Sequence, residues 1–361
     1  MKLTADSGLW VLGTEVDEPP AVAVLEVGGA VLAWTVDEPL QAVRITFTDL
    51  AAADWLWRLV GEAGHVAVVA AVADSAAHAG RPADLVDVVP LSEPLAALRR
   101  LAVGHWLRRW WPVSARDGIG ALDAALLDVE VALCTAALDD YFAHDTLDSD
   151  IAGLLAPHRQ TLATGGGGDP RAIELIRSCV PLAEDVGLGD WSEIVVPQYV
   201  ATRRDDYALA AGRSGTDGGG AIASGVATVA WTAVPPQIFD AAERTVDWAV
   251  LMRDGAAVAD ISVATIGPAD GVPVRLSSGE IAGHGALGAD GRAVLTLAGP
   301  EPVTETQAWA HDWIGTTVIV GADGGESETV RERIRRFARA RLAAPGPDAF
   351  LAEILAVEAD Y

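Results

Sequence analysis

Two periods of apolar spacing run through this chain, and the switch between them divides it. Between residues 92 and 142 the period is helical. Leu95, Leu98, Leu101 with Ala102, Trp106 and Trp110 recur at three- and four-residue spacing and so share one helix face. Ser92 before Glu93-Pro94 predicts the start of that helix. It offers a hydroxyl cap, an acid facing the dipole, and a proline in the first turn, where its missing N–H costs nothing. Pro112 ends the helix by pushing the residue before it out of the α region. Ser114 followed by Asp117 resembles a capping box. From Asp117 to Phe142 a second stripe follows, made of Ile119, Leu122, Leu126, Val129, Leu133, Ala136 and Tyr141. Asp123, Asp128, Glu130 and Asp139 fall largely outside that stripe. The two segments predict a long helical hairpin.

Upstream, strands precede helix. Val22 to Val27 and Ala30 to Val36 flank Gly28-Gly29, a two-residue hairpin signal, and Val43 to Phe47 alternates as a third strand. A helix is expected from near Asp49, carrying Trp55 and Trp57. His65 to Ala73, a short apolar run with valines, reads as a buried strand, with Leu85 to Val89 as its neighbour. This pattern predicts an α+β (or small α/β) domain over residues 1–163. Residues 164–191 form a glycine-rich linker and a helix. Thr164 to Gly168 lacks the Lys-Ser/Thr of a phosphate loop, and Asp169 then caps a helix that opens at Pro170.

Residues 192–325 have the texture of short strands and turns. Gly212 to Gly220 reads as a polar loop, and Val226 to Trp231 opens a strand. Val246 to Arg253, Asp254-Gly255 and Val258 to Ile266 form the strongest hairpin signal in the chain. Ile281 to Leu287, Asp290-Gly291 and Ala293 to Ala298 suggest a second hairpin, and Thr316 to Val320 adds one more strand. The spacing argues for an antiparallel β-sandwich, with barrel closure as the alternative. Residues 326–361 return to amphipathic helix. Val330, Ile334, Phe337 and Leu342 mark one face and six arginines largely fill the rest, ahead of a last helix from Ala349 to Val357.

Composition narrows the function classes. With 361 residues, 51% of them hydrophobic, and twelve tryptophans, the chain can build real cores, and its length suggests two domains. A net charge of −26 argues against nucleic acid and anionic membranes as partners. The most apolar window, Val66 to Ala73, is short for a membrane span, and no leader is visible at Met1 to Asp6. Two cysteines, Cys134 and Cys179, argue against a disulfide framework and imply a cytoplasmic setting. Lys2 is the only lysine and asparagine is absent, so a lysine-dependent P-loop, a kinase ion pair and a Schiff-base enzyme are excluded. No Gly-x-Ser-x-Gly, CxxC or HExxH occurs either.

Three candidate sites remain. Arg99, Arg100, Arg108, Arg109 and Arg116, interleaved with Trp110 and Trp111, could dock an acidic partner, or pair with the protein's own acids. Arg335 and Arg336, and the apolar Phe350 and Leu351 of the last helix, extend the partner-binding set. Asp139, Asp140, His144 and Asp145, followed by Asp148 and Asp150, could converge on magnesium or calcium. Isolated polar groups, His284, His311-Asp312 and Ser75 with His78, carry no triad signal. The expectation is a non-catalytic interaction or scaffold protein of a cytosolic complex, with a protein partner and no cofactor. The alternatives are a divalent-metal enzyme centred on Asp139–Asp150 and a homo-oligomeric structural protein.

Overall fold

The structure, a computed structural model, describes residues 1–77, 81–142, 150–163, 168–189, 191, 220–300 and 303–359. The fold is α+β: an N-terminal α+β part with a helical hairpin, then an antiparallel β-sandwich, then C-terminal helices. The chain groups into two compact units that do not follow its order. Unit 1 takes Met1–Arg109, Leu122–Tyr199 and Phe337–Tyr361; unit 2 takes Trp110–Ala121 and Val200–Arg336.

Unit 1 is built on a six-stranded antiparallel sheet. Its strands are β1 (Lys2–Asp6), β2 (Leu9–Leu12), β3 (Val22–Val27), β4 (Ala30–Thr35), β5 (Arg44–Phe47) and β6 (Ala83–Asp84), in the order β3-β4-β5-β2-β1-β6. Register brings Leu3, Leu12, Ile45, Leu32 and Leu25 opposite one another across five strands, and all five are buried. That row is the unit's apolar spine, each side chain contributing roughly 1.5–3 kcal/mol. The β3–β4 hairpin turns at Gly28-Gly29 as expected. Gly29 has φ 75°, and a Cβ there would lie 2.2 Å from the Asp49 carbonyl oxygen.

The run from His65 to Ala73 is helical, a correction to the strand expectation. It belongs to α1 (Leu56–Ala77), broken at Gly61 where φ is 74° and ψ 163°. Leu59, Val60, Gly64, Val68 and Ser75 are buried at helical spacing, while Val66, Val69, Ala70 and Ala73 face out. A short valine–alanine run satisfies both periods, and among the described residues no strand pairs with it. Its expected partner, Leu85 to Val89, is irregular, and only Ala83–Asp84 pairs, with β1.

The hairpin consists of α2 (Ser92–Trp110) and α3 (Ala124–Phe142), running antiparallel, with Arg100 beside Glu130 and Cys134 and Arg108 beside Asp128. The second helix starts later than Asp117. Asp123 caps it by accepting the N–H groups of Ala125 and Leu126 at 3.0 and 3.1 Å. The Ser114 hydroxyl instead accepts the Asp117 N–H at 3.1 Å inside a tight turn bridged between Ser114 and Ile119, and Gly118, with φ 65°, leaves the helical region. Trp106 Nε1 donates to Pro20 O and Arg99 to Val36 O, tying α2 to the sheet.

Beyond the hairpin come α4 (Ile151–Leu155), a 3-10 turn at Ala156–His158, α5 (Arg159–Ala163) and α6 (Pro170–Asp185), which packs on α3. Asp169 caps α6 as expected; residues 164–167 of the linker lie outside the described residues.

Unit 2 holds two sheets. One has the order β12-β9-β8-β7 and the other β11-β10-β13. The strands are β7 (Ala223–Ala227), β8 (Val246–Arg253), β9 (Ala256–Val263), β10 (Pro273–Ser278), β11 (Ile281–Ala286), β12 (Arg292–Thr296) and β13 (Thr317–Val320). Val250, Ala259, Ile261 and Leu295 from the first sheet and Val274, Leu276 and Val318 from the second share one core. The Asp254-Gly255 hairpin forms with positive φ at both turn residues, 53° and 80°.

The second expected hairpin is kept only at its open end, where Ala282 and Ala298 exchange N–H···O bonds at 2.8 and 2.9 Å. β11 pairs with β10 through Gly279-Glu280, whereas β12 pairs with β9, so the Asp290-Gly291 turn carries the chain from one sheet to the other. Its local chemistry is a correct turn signal, but strand partners are settled by the two-sheet core. Val226 to Trp231 is also shorter than expected: the strand stops at Ala227, and Trp231–Ala233 is a 3-10 turn. Of the loop expected at 212–220, only Gly220 is among the described residues.

The helix α7 (Glu305–Ala310) carries a capping box, Thr304 with Gln307. The helix α8 (Glu328–Ala343) follows, with residues to Arg336 in unit 2 and the remainder in unit 1. The last helix, α9 (Leu351–Ala359), packs on α3 within unit 1.

Gly104 is the closest approach inside the hairpin. A Cβ there would lie 2.7 Å from both Phe350 Cζ and Val131 Cγ2. Helix propensity alone would make Gly104→Ala stabilising by about 1 kcal/mol. Overpacking two buried side chains costs roughly 1–3 kcal/mol. The expected outcome is a net loss of stability, read as a lower urea midpoint; a gain would show that Phe350 can move aside.

Candidate interaction surface

The arginine-rich faces are occupied from within. On α2, Arg100 pairs with Glu130, donates to Cys134 Sγ at 2.9 Å and lies over the Phe350 ring at 4.5 Å. Arg108 pairs with Asp128, whose second carboxylate oxygen meets His158 Nε2 at 2.8 Å. Arg99 donates to the Val36 carbonyl at 3.1 Å. Arg109 is half-buried, and loss of water pushes its pKa down. Trp110 is half-buried too, while Trp111 is buried with Nε1 donating to Gly120 O at 2.9 Å. Arg116 is exposed and reaches the Glu243 carbonyl at 3.0 Å.

In unit 2 the first turns of α8 build a second cluster. Arg331 grips Glu243 with two hydrogen bonds at 2.7 and 3.0 Å, and Arg335 adds a third at 3.0 Å. Arg335 also donates to Ala241 O at 3.0 Å and is almost fully buried. Glu326 accepts the Trp231 and Thr232 amides at 2.9 and 3.1 Å. Burial alone would raise Glu243, but the two guanidinium groups outweigh it and hold the carboxyl below its ordinary pKa. Arg336, by contrast, is exposed.

The last helix is seated by acids. The Glu130 carboxylate accepts the Leu351 N–H at 2.7 Å, and the fully buried Glu353 accepts the Phe350 N–H at 2.9 Å. Arg341 closes on Glu353 and on Asp348, the latter at 3.0 Å. Phe350 is buried and Leu351 half-buried. Of the expected partner-binding residues, then, Trp111, Arg335 and Phe350 are sealed inside their units, because intramolecular carboxylates and packing reach them first. Arg99, Arg108, Arg109, Trp110 and Leu351 are partly covered.

For the expected metal cluster, Asp139 is half-buried at the end of α3, and Asp140 belongs to the same helix. The Asp140 side chain, His144, Asp145 and Asp148 lie outside the described residues. Asp150 caps α4 by accepting the Gly153 N–H at 2.8 Å. Among the described residues no group of three or more His, Cys, Asp or Glu is placed to hold a metal ion. Ser75 is buried with its hydroxyl on the Arg81 carbonyl, and His284 is exposed. Ser278 Oγ and His311 Nε2 are 2.9 Å apart, with the imidazole edge-on to Trp313; Ser278 is buried and Asp312 caps the Ile314 N–H instead of orienting the imidazole.

The surface that stands out is apolar and was missed by the strand reading. Trp57, Val66 and Val69 on α1 and Val86, Val89 and Leu91 on the following strip are between 43% and 80% exposed. The two segments lie side by side. The Leu91 N–H donates to Leu59 O at 2.8 Å, and Val88, buried between exposed Val86 and Val89, faces Gly64. Exposed large apolar side chains scattered singly need no explanation, whereas several in two neighbouring segments call for one. A helical reading of the valine run would have exposed the signal. By length and composition Leu56–Ala76 is also apolar enough to cross a bilayer, which corrects the expectation that no window was long enough. The break at Gly61 falls within that span.

No family model matches the chain, and neither a curated protein nor a solved structure matches it.

His105, on α2 beside Arg108, gives a pH test of this buried polar layer. Burial and the Arg108 charge push its pKa down to about 4, against a smaller upward pull from Asp128. In the unfolded chain it titrates near 6.5, so below that pH the unfolded state binds more protons. Its contribution to stability is complete above pH 6.5 and is lost as pH falls toward 4; at pH 5 the loss is about 2 kcal/mol. Urea midpoints at pH 7.5 and 5.0 should fall less for His105→Gln than for the wild type. Equal falls would mean that His105 is solvated.

Proposed function

We propose that this chain is a non-catalytic protein-interaction component of a cytosolic complex. The observation that carries the reading is the exposed apolar run of α1 and residues 86–91. Burying a comparable set of aliphatic and aromatic side chains is what the centre of a protein–protein interface does. The reading moves the contact away from the arginine helices, whose guanidinium groups are largely engaged by carboxylates and carbonyls of the same chain. Cys134 and Cys179 are both free thiols, which fits a reducing compartment.

The test is a comparison of three proteins purified gently from their own cells and examined by native mass spectrometry. Val66 and Val86 are exposed, so the double variant Val66→Gln with Val86→Gln should keep the wild-type melting temperature. A stoichiometric partner present with the wild type should be lost with this variant and kept with Arg336→Glu. A partner that survives the valine changes and disappears with Arg336→Glu would return the contact to the C-terminal helix. A wild-type protein that carries no partner and instead holds a divalent ion would overturn the reading in favour of the acidic cluster.

A further inference from the structure

We propose that the partner docks on this surface through a basic amphipathic segment, an apolar stripe flanked by lysines or arginines; the proposal rests on the interaction reading above. The argument is charge complementarity around an apolar centre. The eleven residues between Glu62 and Asp74 carry no formal charge, and Ala63, Val66, Val69, Ala70 and Ala73 of this stretch are exposed. In the wider stretch of chain the charges are mostly negative. Residues 57–93 contain five acids, Glu62, Asp74, Asp84, Asp87 and Glu93, all exposed, against two basic groups, Arg58 and Arg81. Arg58 lies over the Trp57 ring at 5.2 Å, so one of those two cations is turned onto the aromatic face at the helix start.

An apolar centre with an acidic rim selects its occupant by sign. Complementary charge speeds encounter and fixes orientation, while like charge brought together at a rim is penalised. A second copy of this chain would bring the same acidic rim and another net −26 to the contact. A bilayer of anionic lipid would meet the same repulsion. A segment presenting leucines or valines between lysines or arginines satisfies both the centre and the rim. The exposed face of α1 beyond Gly61, where Val66, Val69, Ala70 and Ala73 lie, offers such a segment apolar side chains to pack on.

The probes are two synthetic fourteen-residue amphipathic peptides, one of leucine and lysine only and one of leucine and glutamate only, titrated onto the full-length protein by calorimetry. The leucine–lysine peptide should bind the wild type and weaken at least tenfold between 50 and 300 mM salt. The charge-reversed variant Glu62→Lys, Asp84→Lys, Asp87→Lys should lose at least tenfold for that peptide and gain affinity for the leucine–glutamate peptide. Reversing three exposed acids of unit 2, Asp270→Lys, Glu280→Lys, Glu305→Lys, changes the net charge equally and should leave the lysine peptide bound within about threefold.

Each other result overturns the proposal in a distinguishable way. Equal losses from the two charge-reversed variants would mean attraction to the net charge rather than docking. Binding abolished by Val66→Gln with Val86→Gln but unmoved by charge reversal at residues 62, 84 and 87 would keep the interaction reading and remove the basic segment from it. A concentration-dependent dimer in sedimentation, lost in the valine variant, would assign the face to a second copy. Binding to phosphatidylglycerol vesicles that the valine variant loses would assign it to lipid.

Discussion

Carboxylates outnumber basic side chains 51 to 25 in this chain, and that imbalance governs where its arginines go. Arg100, Arg108, Arg331, Arg335 and Arg341 each find an acid within reach, and the fold uses the surplus to hold helices in place. Glu243 gathers Arg331 and Arg335; Glu130 takes Arg100 on one oxygen and the Leu351 N–H on the other; Glu353 takes Arg341 and the Phe350 N–H. Buried ions are expensive to desolvate, so such clusters persist only when every lone pair and proton is matched. Guanidinium supplies the planar, multiply donating partner that this requires, and lysine, nearly absent from the chain, would not. The final helix is therefore seated by directional hydrogen bonds at its first turn as well as by apolar packing.

The second organising constraint is steric. Where two elements approach closely, a glycine has been placed opposite a large ring. Gly104 leaves room for Phe350, and Gly225 leaves room for Trp248, whose indole would lie 2.6 Å from an added Cβ. In both units the backbone approaches a large side chain closely at a glycine, the fit that close-packed interiors enforce. The surface of α1 is the exception. There valines and alanines face outward with no large side chain over them among the described residues, and this contrast is what makes the surface informative.

Much of the architecture was legible because it rests on local rules. The Gly28-Gly29 and Asp254-Gly255 turns, the Asp169 cap, the α2–α3 pair and the two-sheet texture follow from backbone preferences that act within a few residues. The valine run 65–73 was misread because its eight apolar residues satisfy both periods; what decides between them is whether a neighbouring strand exists, and that is a property of the sheet. The Asp290-Gly291 turn was read correctly as a turn, but the strands it joins meet only at Ala282 and Ala298 and pair mainly with others, for the same reason. The candidate site suffered most. Arg335 and Phe350 carry the composition of a docking surface, and nothing in their own neighbourhoods announces Glu243 or Glu130, which lie 92 and 221 residues away from Arg335 and Leu351 respectively.

By itself the amino-acid sequence determined the fold class, the positions of many helices and turns, the acidic balance, and the absence of lysine beyond Lys2. Those are local or additive properties: periodicity, capping, and the sum of charges. Only the tertiary structure decided which arginines were already paired, which strands shared a sheet, and which apolar side chains were left outside. Those depend on contacts between residues far apart in the chain, where burial and geometry, and no local preference, choose the partner.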